Sequence, residues 1–317
     1  MLYFENYLTN CDKYVTLWLG SNYTVRPVMV NQLDTGKRAK ILYLLLEGNS
    51  MRGICRMEGV NWRTVEKLQN DAARAARRYH RKYVDAVAVA TIQMDELWSF
   101  CYAKQKRLAN LTNQSTTAGD VWTWLALESD TKLILSYRVD DRTDRSCRRF
   151  MKDLAQRVEY DEDLEIFTDG NPSYPRAIRK YFRDGISYSQ LVKTIKDGQP
   201  MIKDRQIYGK RRSNRSTTSY VERANLTVRM SNRRYSRKTS AFSKKIENHR
   251  ASVDLFIMNY NWIRVHETLG TAPAVAARLA RQPYSLERLV RRIDRMNARE
   301  RRKKQRREKR RIRFQIK

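Results

Sequence analysis

The chain has 317 residues, 65 of them lysine or arginine against 34 aspartate or glutamate, a formal charge of +31. An excess of that size implies a polyanionic partner, nucleic acid first, and an aromatic content of 10% excludes a merely disordered basic protein. Cys11, Cys55, Cys101 and Cys147 are too scattered for a zinc site or a disulfide framework, and no apolar run approaches the roughly 18 residues of a membrane span, so a reduced, cytoplasmic or nucleoid protein with no membrane partner is expected.

Residues 1–33 carry apolar clusters, such as Leu2-Tyr3-Phe4, but no motif. Residues 34–83 read as a helical DNA-binding unit. A first helix covers Lys37–Leu46 and ends at Glu47-Gly48-Asn49. Ser50 caps a second helix over Met51–Met57, Gly59 makes the turn, and Asn61 caps a third helix that begins at Trp62. This is the helix-turn-helix plan, in which the second helix of the pair meets base edges in the major groove. It places Asn61, Arg63, Thr64 and Lys67 at DNA, with Arg74, Arg77, Arg78 and Arg81 further along toward phosphates. A generic three-helix packing unit fits the same pattern.

A central domain of residues 84–275 follows. Alternation from Ile92 to Phe100 predicts a strand that contains Asp95 and sends Glu96 to the opposite face, a poor position for a shared ligand. Residues 110–119 are a polar loop. Val121–Leu127 and Leu133–Val139 complete an antiparallel meander. Thr143 then caps a helix over Asp144–Val158, and Asp163–Phe167 reads as a short buried strand running into Thr168-Asp169-Gly170-Asn171-Pro172. Three antiparallel strands, a crossover helix and a fourth strand parallel to the first open a ribonuclease H-like sheet. The expected fold class is therefore α/β, a mixed sheet flanked by helices behind a helix-turn-helix domain. The first and fourth strands are then neighbours, and Asp95 and Asp169 converge on one metal site.

Residues 203–215, with Lys210, Arg211 and Arg212, read as a flexible basic loop beside that site. Ser219 or Thr218 caps a helix with Glu222 in its first turn and Asn225 and Arg229 on the same face. Carboxylate, amide and guanidinium on one face suit metal, phosphate and scissile strand, although a capping-box glutamate is the plainer reading of Glu222. Arg233, Arg234, Arg237 and Lys238 continue the basic surface. His80 reads as a surface residue, His266 as structural, and Tyr174 as core, with stacking on a displaced base as its alternative. Residues 276–317 form a basic tail, amphipathic from Leu286 and nearly all basic from Arg299 to Arg313. Such a run is solvated, disordered or ordered by DNA, or serves only solubility.

Asp95-Glu96-Leu97-Trp98-Ser99, Thr168-Asp169-Gly170-Asn171-Pro172-Ser173-Tyr174, the stretch Tyr220–Arg229 and Ala241-Phe242-Ser243-Lys244-Lys245 occur in this order. Together they resemble the DDE transposases of the insertion sequence 1 family over residues 35–275. The resemblance implies Asp95, Asp169 and Glu222 as catalytic triad and metal ligands, with two Mg²⁺ (or Mn²⁺) ions per active site. It implies a homodimer or higher homo-oligomer acting on double-stranded DNA, at the element's terminal inverted repeats and at target DNA, in the bacterial nucleoid. It allows His249 to assist at phosphate, where a packed or capping role is the alternative. Paired hard cations activate water, stabilise the pentacovalent phosphorus and neutralise the leaving oxygen, so water and then a 3′-hydroxyl attack directly, without a protein nucleophile. The chain departs from the family in lacking the cysteine zinc ribbon of some members and in its longer Asp169–Glu222 interval. A structure-selective nuclease on the same fold and an inactive DNA-binding regulator are the rival functions.

Overall fold

A computed structural model describes residues 32–110, 118–196, 199–211, 217–236 and 240–315. The N-terminal segment 1–31 lies outside the described residues. Local signals set the first three helices. Helix α1 (Thr35–Leu46) starts where Asp34 accepts from the Lys37 N–H, and α2 (Met51–Glu58) where Ser50 accepts from the Gly53 N–H. Gly59 ends α2 in the left-handed region, and Asn61 caps α3 (Trp62–Tyr83) by accepting from the Arg63 N–H.

The chain continues through β1 (Val87–Ala88), β2 (Thr91–Cys101), β3 (Gly119–Glu128), β4 (Ile134–Asp140), α4 (Asp144–Ala155), β5 (Val158–Glu159), β6 (Glu165–Thr168), α5 (Ser173–Tyr181), β7 (Ser187–Lys196), β8 (Gln199–Tyr208), α6 (Ser219–Ser231), α7 (Ile246–Met258), α8 (Pro273–Ala276) and α9 (Leu286–Gln315). Six strands form one mixed sheet in the order β4-β3-β2-β6-β7-β8, and β1 pairs in parallel with β5 beside it. The meander β2-β3-β4 is antiparallel, as the sequence predicts. Strand β6 returns after the crossover helix α4 and lies parallel to β2. Their register pairs Met94 with Thr168, so Asp95 and Asp169 are the next residues on each chain.

Helices cover both faces of the sheet. On one face α4 and α5 bury Trp124, Phe150 and Tyr174, with ring centroids 5.9 and 5.7 Å from Trp124. On the other, Leu97 and Leu125 pack with Val221, Ala224 and Val228 of α6 and with Val253 and Ile257 of α7. Both layers exclude water from the strand centres, so polar groups that survive there are those held by hydrogen bonds.

Several expectations need correction. Residues 203–208 are not loop but the end of β8, which forms an antiparallel hairpin with β7. In β8 Lys203 and Arg205 alternate with residues that are themselves exposed, so the apolar period that marks a half-buried strand is absent there. The C-terminal tail is not a disordered segment: α9 is a helix of 30 residues that buries Leu289, Val290, Ile293 and Met296. Its acids reach back to the first helices. Arg38 binds Asp294 with two bonds of 2.6 and 2.9 Å, and Glu300 pairs with Arg74 at 3.0 Å and Arg78 at 2.8 Å. Arg77 holds Asp254 of α7 through two nitrogens. Arg74, Arg77 and Arg78 thus each hold an acid of another helix while their side chains stay about half exposed. His80 is buried, with Nε2 3.1 Å from the Leu135 carbonyl, because this part of α3 lies under β4 and not at the surface. Residues 34–317 form one compact unit. Among the described residues no helix is long and apolar enough to cross a membrane.

Candidate metal-binding and catalytic site

Two central parallel strands meet at one point, where β6 ends at Thr168 and β2 runs on past Asp95 to Cys101. Oxygens of Asp95, Glu96 and Asp169 lie within 4.8 Å of one another there. Asp169 is placed by the turn behind it: β6 stops at Thr168, and Asp169 Oδ1 accepts from the Asn171 N–H at 3.1 Å. Both oxygens of Asp95 are also fixed. Oδ1 accepts from the Glu96 N–H at 2.8 Å, and Oδ2 accepts from Asn225 Nδ2 at 2.8 Å.

Glu96 corrects the sequence reading. Strand alternation set it aside as a ligand, yet its carboxylate joins the cluster. Since β6 ends at Thr168 while β2 runs on, Asp169 and its turn lie beside the middle of β2 past the parallel ladder, and Asn171 of that turn reaches Glu96. Glu96 Oε1 accepts from Asn171 Nδ2 at 3.0 Å, and Oε2 pairs with the Arg142 guanidinium at 3.1 Å. Arg142 also reaches Asp169 Oδ2 at 3.5 Å, and its flat group lies 4.7 Å over the Trp122 ring.

Crowding three acids in a desolvated place lifts their pKa values. Burial, and then the charge of Asp169, raise Asp95 to about 6. Burial and Asp169 raise Glu96 to about 7 against the pull of Arg142 and Asn171. Asp169 is also raised, chiefly by burial. Charged oxygens gathered against their own repulsion, and with few side-chain donors, are the donor set that a hard divalent cation takes. The residues therefore fit such an ion.

Glu222 approaches by a route the sequence does not reveal. The side chain of Gln93, wholly buried on β2, caps α6: its Oε1 accepts from the N–H groups of Tyr220 at 3.0 Å and Val221 at 3.1 Å. The helix is thus anchored two residues before Asp95, and Asn225 ties its next turn to Asp95 itself. Glu222 sits in the first turn, with Thr218 Oγ1 at 2.8 Å and Lys193 Nζ at 3.0 Å as partners rather than a helix N–H. Its charge contributes to the rise of Asp95, and Lys193 acts on Asp169 as well. Of the three predicted acids, the structure brings Asp95 and Asp169 together. Glu222 stands at the rim, outside the 4.8 Å group.

The other predicted residues divide. Asn225 is buried, and its amide serves Asp95. Arg229 is half-buried, while Lys210 and Arg233 are exposed. Arg211 binds Asp204 and Ser189, and Arg212 lies outside the described residues. Arg63 and Lys67 are exposed on α3, Lys67 beside Asp71 at 3.0 Å, and Thr64 is half-buried. Asn61 uses its side chain as a cap. His249 is fully enclosed, with Nε2 3.1 Å from the Tyr235 hydroxyl, and burial pushes it down to about 3. It is a neutral core group and cannot assist at phosphate from there. Gln93, Glu96, Asn171, Arg142 and Lys193 were missed. The one signal was Gln93, a polar residue between the apolar Ile92 and Met94 of β2.

No protein-family model matches the chain. It is 27% identical over 165 residues to the insertion element iso-IS1n protein InsB of Shigella dysenteriae, a match that covers 52% of this chain and 92% of that protein. This relative bears out the resemblance to the insertion sequence 1 family. Among solved structures, the Mos1 transposase paired-end complex with left transposon end matches at TM-score 0.21 and 12% identity, over 48% of this chain and 57% of that one. The Mos1 strand transfer complex matches at TM-score 0.19 and 11% identity, over 48% and 56%. The chain thus spans just over half of the Mos1 chains, and these superpositions are too loose to define a fold.

Proposed function

We propose that this chain, a relative of an insertion sequence 1 protein, is a transposase that cuts DNA at the ends of its element and joins them to a target. The sheet is then a ribonuclease H-like one, and Asp95, Asp169 and Glu222 are its catalytic carboxylates. The observation that carries this reading is the convergence of Asp95, within β2, and Asp169, just past the end of the adjacent parallel β6, with α6 fastened to β2 by Gln93.

Asp95, Asp169 and Glu222, with Glu96 behind them, would hold Mg²⁺ or Mn²⁺. When bound, such ions supply Lewis acidity at the scissile phosphate and lower the pKa of an attacking water or 3′-hydroxyl. The chain's own residues do the positioning. Asn225 and the Glu96 N–H clamp both oxygens of Asp95, so that carboxylate presents a fixed edge. Asn171 holds the Asp169 turn and Glu96 together. Arg142 and Lys193 neutralise the acids and are placed to take the phosphate's charge when a cation replaces them at the carboxylates. Exposed Arg63 and Lys67 on α3, with Thr64 between them, form the surface for reading element ends, and the chain acts as a homo-oligomer on paired ends.

The test is a divalent-ion-dependent assay on duplex DNA carrying the gene's own flanking sequence. Wild type is expected to nick the ends and join them to a second duplex, and Asp169→Asn to do neither. Cleavage without joining would make the chain a nuclease, and binding without cleavage a regulator.

A further inference from the structure

A cleft separate from the carboxylate site opens between the α1–α2 corner, the start of α3, the turn after α6 and residues 240–248. Its volume is about 680 Å³, within the ~300–1,000 Å³ of sites that take small ligands. That volume takes a nucleotide or two and is too small for a duplex. Arg52, Arg233, Arg234, Lys244 and Lys245 line it, against Glu66 as the acid among the described lining residues. Glu66 is already engaged by Asn248 Nδ2 at 2.7 Å.

Arg234 is the informative cation. Its guanidinium donates to Ser243 Oγ at 2.8 Å and to Gln69 Oε1 at 3.3 Å, both neutral. Among the described residues no carboxylate forms an ion pair with it, and burial pulls its pKa below the ordinary value. A partly buried guanidinium oriented by neutral acceptors keeps its charge for an anion. Aromatic surface stands beside it. Trp62, 45% exposed, lies on the rim and also borders an adjoining hollow with Arg52 and Arg56. Phe242 lines the cleft as the last ring of a row with Trp98 and Phe100, at centroid steps of 5.9 and 5.1 Å.

The cleft is built onto the catalytic strand. Ser99 Oγ donates to the Arg234 carbonyl at 3.4 Å, and the Tyr102 N–H to the Ser243 carbonyl at 2.7 Å. Ser99 is four residues beyond Asp95 on β2, roughly 13 Å at strand spacing. Cations at phosphate height, an exposed indole and room for separated bases form the pattern of a single-strand site.

We propose that this cleft receives an unpaired stretch of DNA adjoining the reacting phosphate, its bases stacked on Trp62 and its phosphates held by Arg233 and Arg234. The proposal rests on the transposase reading, but its test is independent of cleavage. Full-length protein is titrated, without divalent ion, with a fluorescent 20-base-pair blunt duplex, the same duplex with a six-nucleotide thymidine 3′ overhang, and a 12-nucleotide oligothymidine. Wild type is expected to prefer the overhang to the blunt duplex. Trp62→Ala is expected to weaken overhang and oligothymidine binding about ten-fold or more, Trp62→Phe to retain most of it, and neither to alter blunt-duplex binding. Circular dichroism checks that the variants fold, which the exposure of Trp62 favours. Asp169→Asn keeps the overhang preference even where it abolishes cleavage, so failure of the catalytic reading and failure of this one are distinguishable. Equal binding of overhang and blunt duplex by wild type, an equal loss on both in Trp62→Ala, or no loss at all would overturn the proposal. Loss of self-association in Trp62→Ala, with DNA binding unchanged, would make the cleft a protein-docking face instead.

Discussion

Two groups of buried acids in this molecule have opposite surroundings. Asp71 on α3 is enclosed by Lys67, Arg74 and Asn297. Burial alone would raise it, but the hydrogen bonds from Lys67 and Arg74 outweigh burial and hold it below the usual carboxylate range. Asp153 is lowered in the same way, burial being outweighed by Arg157 and Ser136. These acids are mortar between helices and strands. Asp95, Glu96 and Asp169 share one crowded place where burial outweighs Asn225, Asn171 and Arg142, and all three are raised. Asp254 is raised as well, but by burial alone, against the hydrogen bonds of Arg77 and Tyr137. A protein tolerates such repulsion where something from outside relieves it, which marks the second group as the functional one.

The largest expected effect separates the groups by activity. Asp169→Asn should lower divalent-ion-dependent DNA cleavage by on the order of a thousand-fold, as removal of one transition-state partner does. It should leave the melting temperature of the ion-free protein unchanged or higher, since repulsion is relieved. Asp254→Asn should do the reverse. Arg77 and Tyr137 lose their shared acceptor, so urea denaturation should show a loss of about 2–3 kcal/mol, while cleavage per folded molecule stays near wild type.

The two groups also differ in sign with pH. A carboxyl raised by folding stabilises most when protonated, below its ordinary value of 3.8 for Asp95 or 4.5 for Glu96. That contribution is lost as pH climbs through about 6 and about 7. The lowered Asp71 and Asp153 instead contribute above 3.8 and lose it as pH falls. Over pH 5 to 8 the buried, neutral His80 and His249 gain stability while the raised acids lose it. The acids' share is therefore read as the difference between ion-free wild type and Asp95→Asn, about 1–2 kcal/mol, which millimolar Mg²⁺ should restore in wild type. A thermal melt series across that range with and without the ion checks both.

A smaller effect sharpens the link between strand and helix. Gln93→Ala removes the acceptor for two N–H groups of α6 and should cost about 1–2 kcal/mol, the scale of a lost cap. Cleavage should fall more than that loss of stability alone explains, because Glu222 rides on the same turn. Equal proportional losses would reduce Gln93 to a structural cap.

Much of this architecture was legible in local chemistry. Ser50, Gly59 and Asn61 marked their helix ends, and the meander followed from alternation, because caps and periods are decided by neighbours in sequence. What remained hidden depends on distant partners. Gln93 is a cap whose helix begins 126 residues later at Ser219. Glu96 joined the acids only because β6 is short. That the tail folds as helix α9 was hidden, because Asp294 and Glu300 reveal their role only beside Arg38, Arg74 and Arg78, while its basic stretch 301–308 is exposed, as a solvated run is. The exposed outer half of the β7–β8 hairpin carries no buried apolar period, so the place of Lys193 beside Glu222 is not legible in the sequence.

Direct ion binding tests the central claim most closely. Mn²⁺ titrated into full-length protein and followed by electron paramagnetic resonance of the free ion should be taken up by wild type at neutral pH, and uptake should fall at least about ten-fold in Asp95→Asn and Asp169→Asn. Asp71→Asn, the structural control, should bind like wild type. Uptake by Asp95→Asn and Asp169→Asn equal to that of wild type would show that the acids in β2 and just past β6 are not where the cation sits.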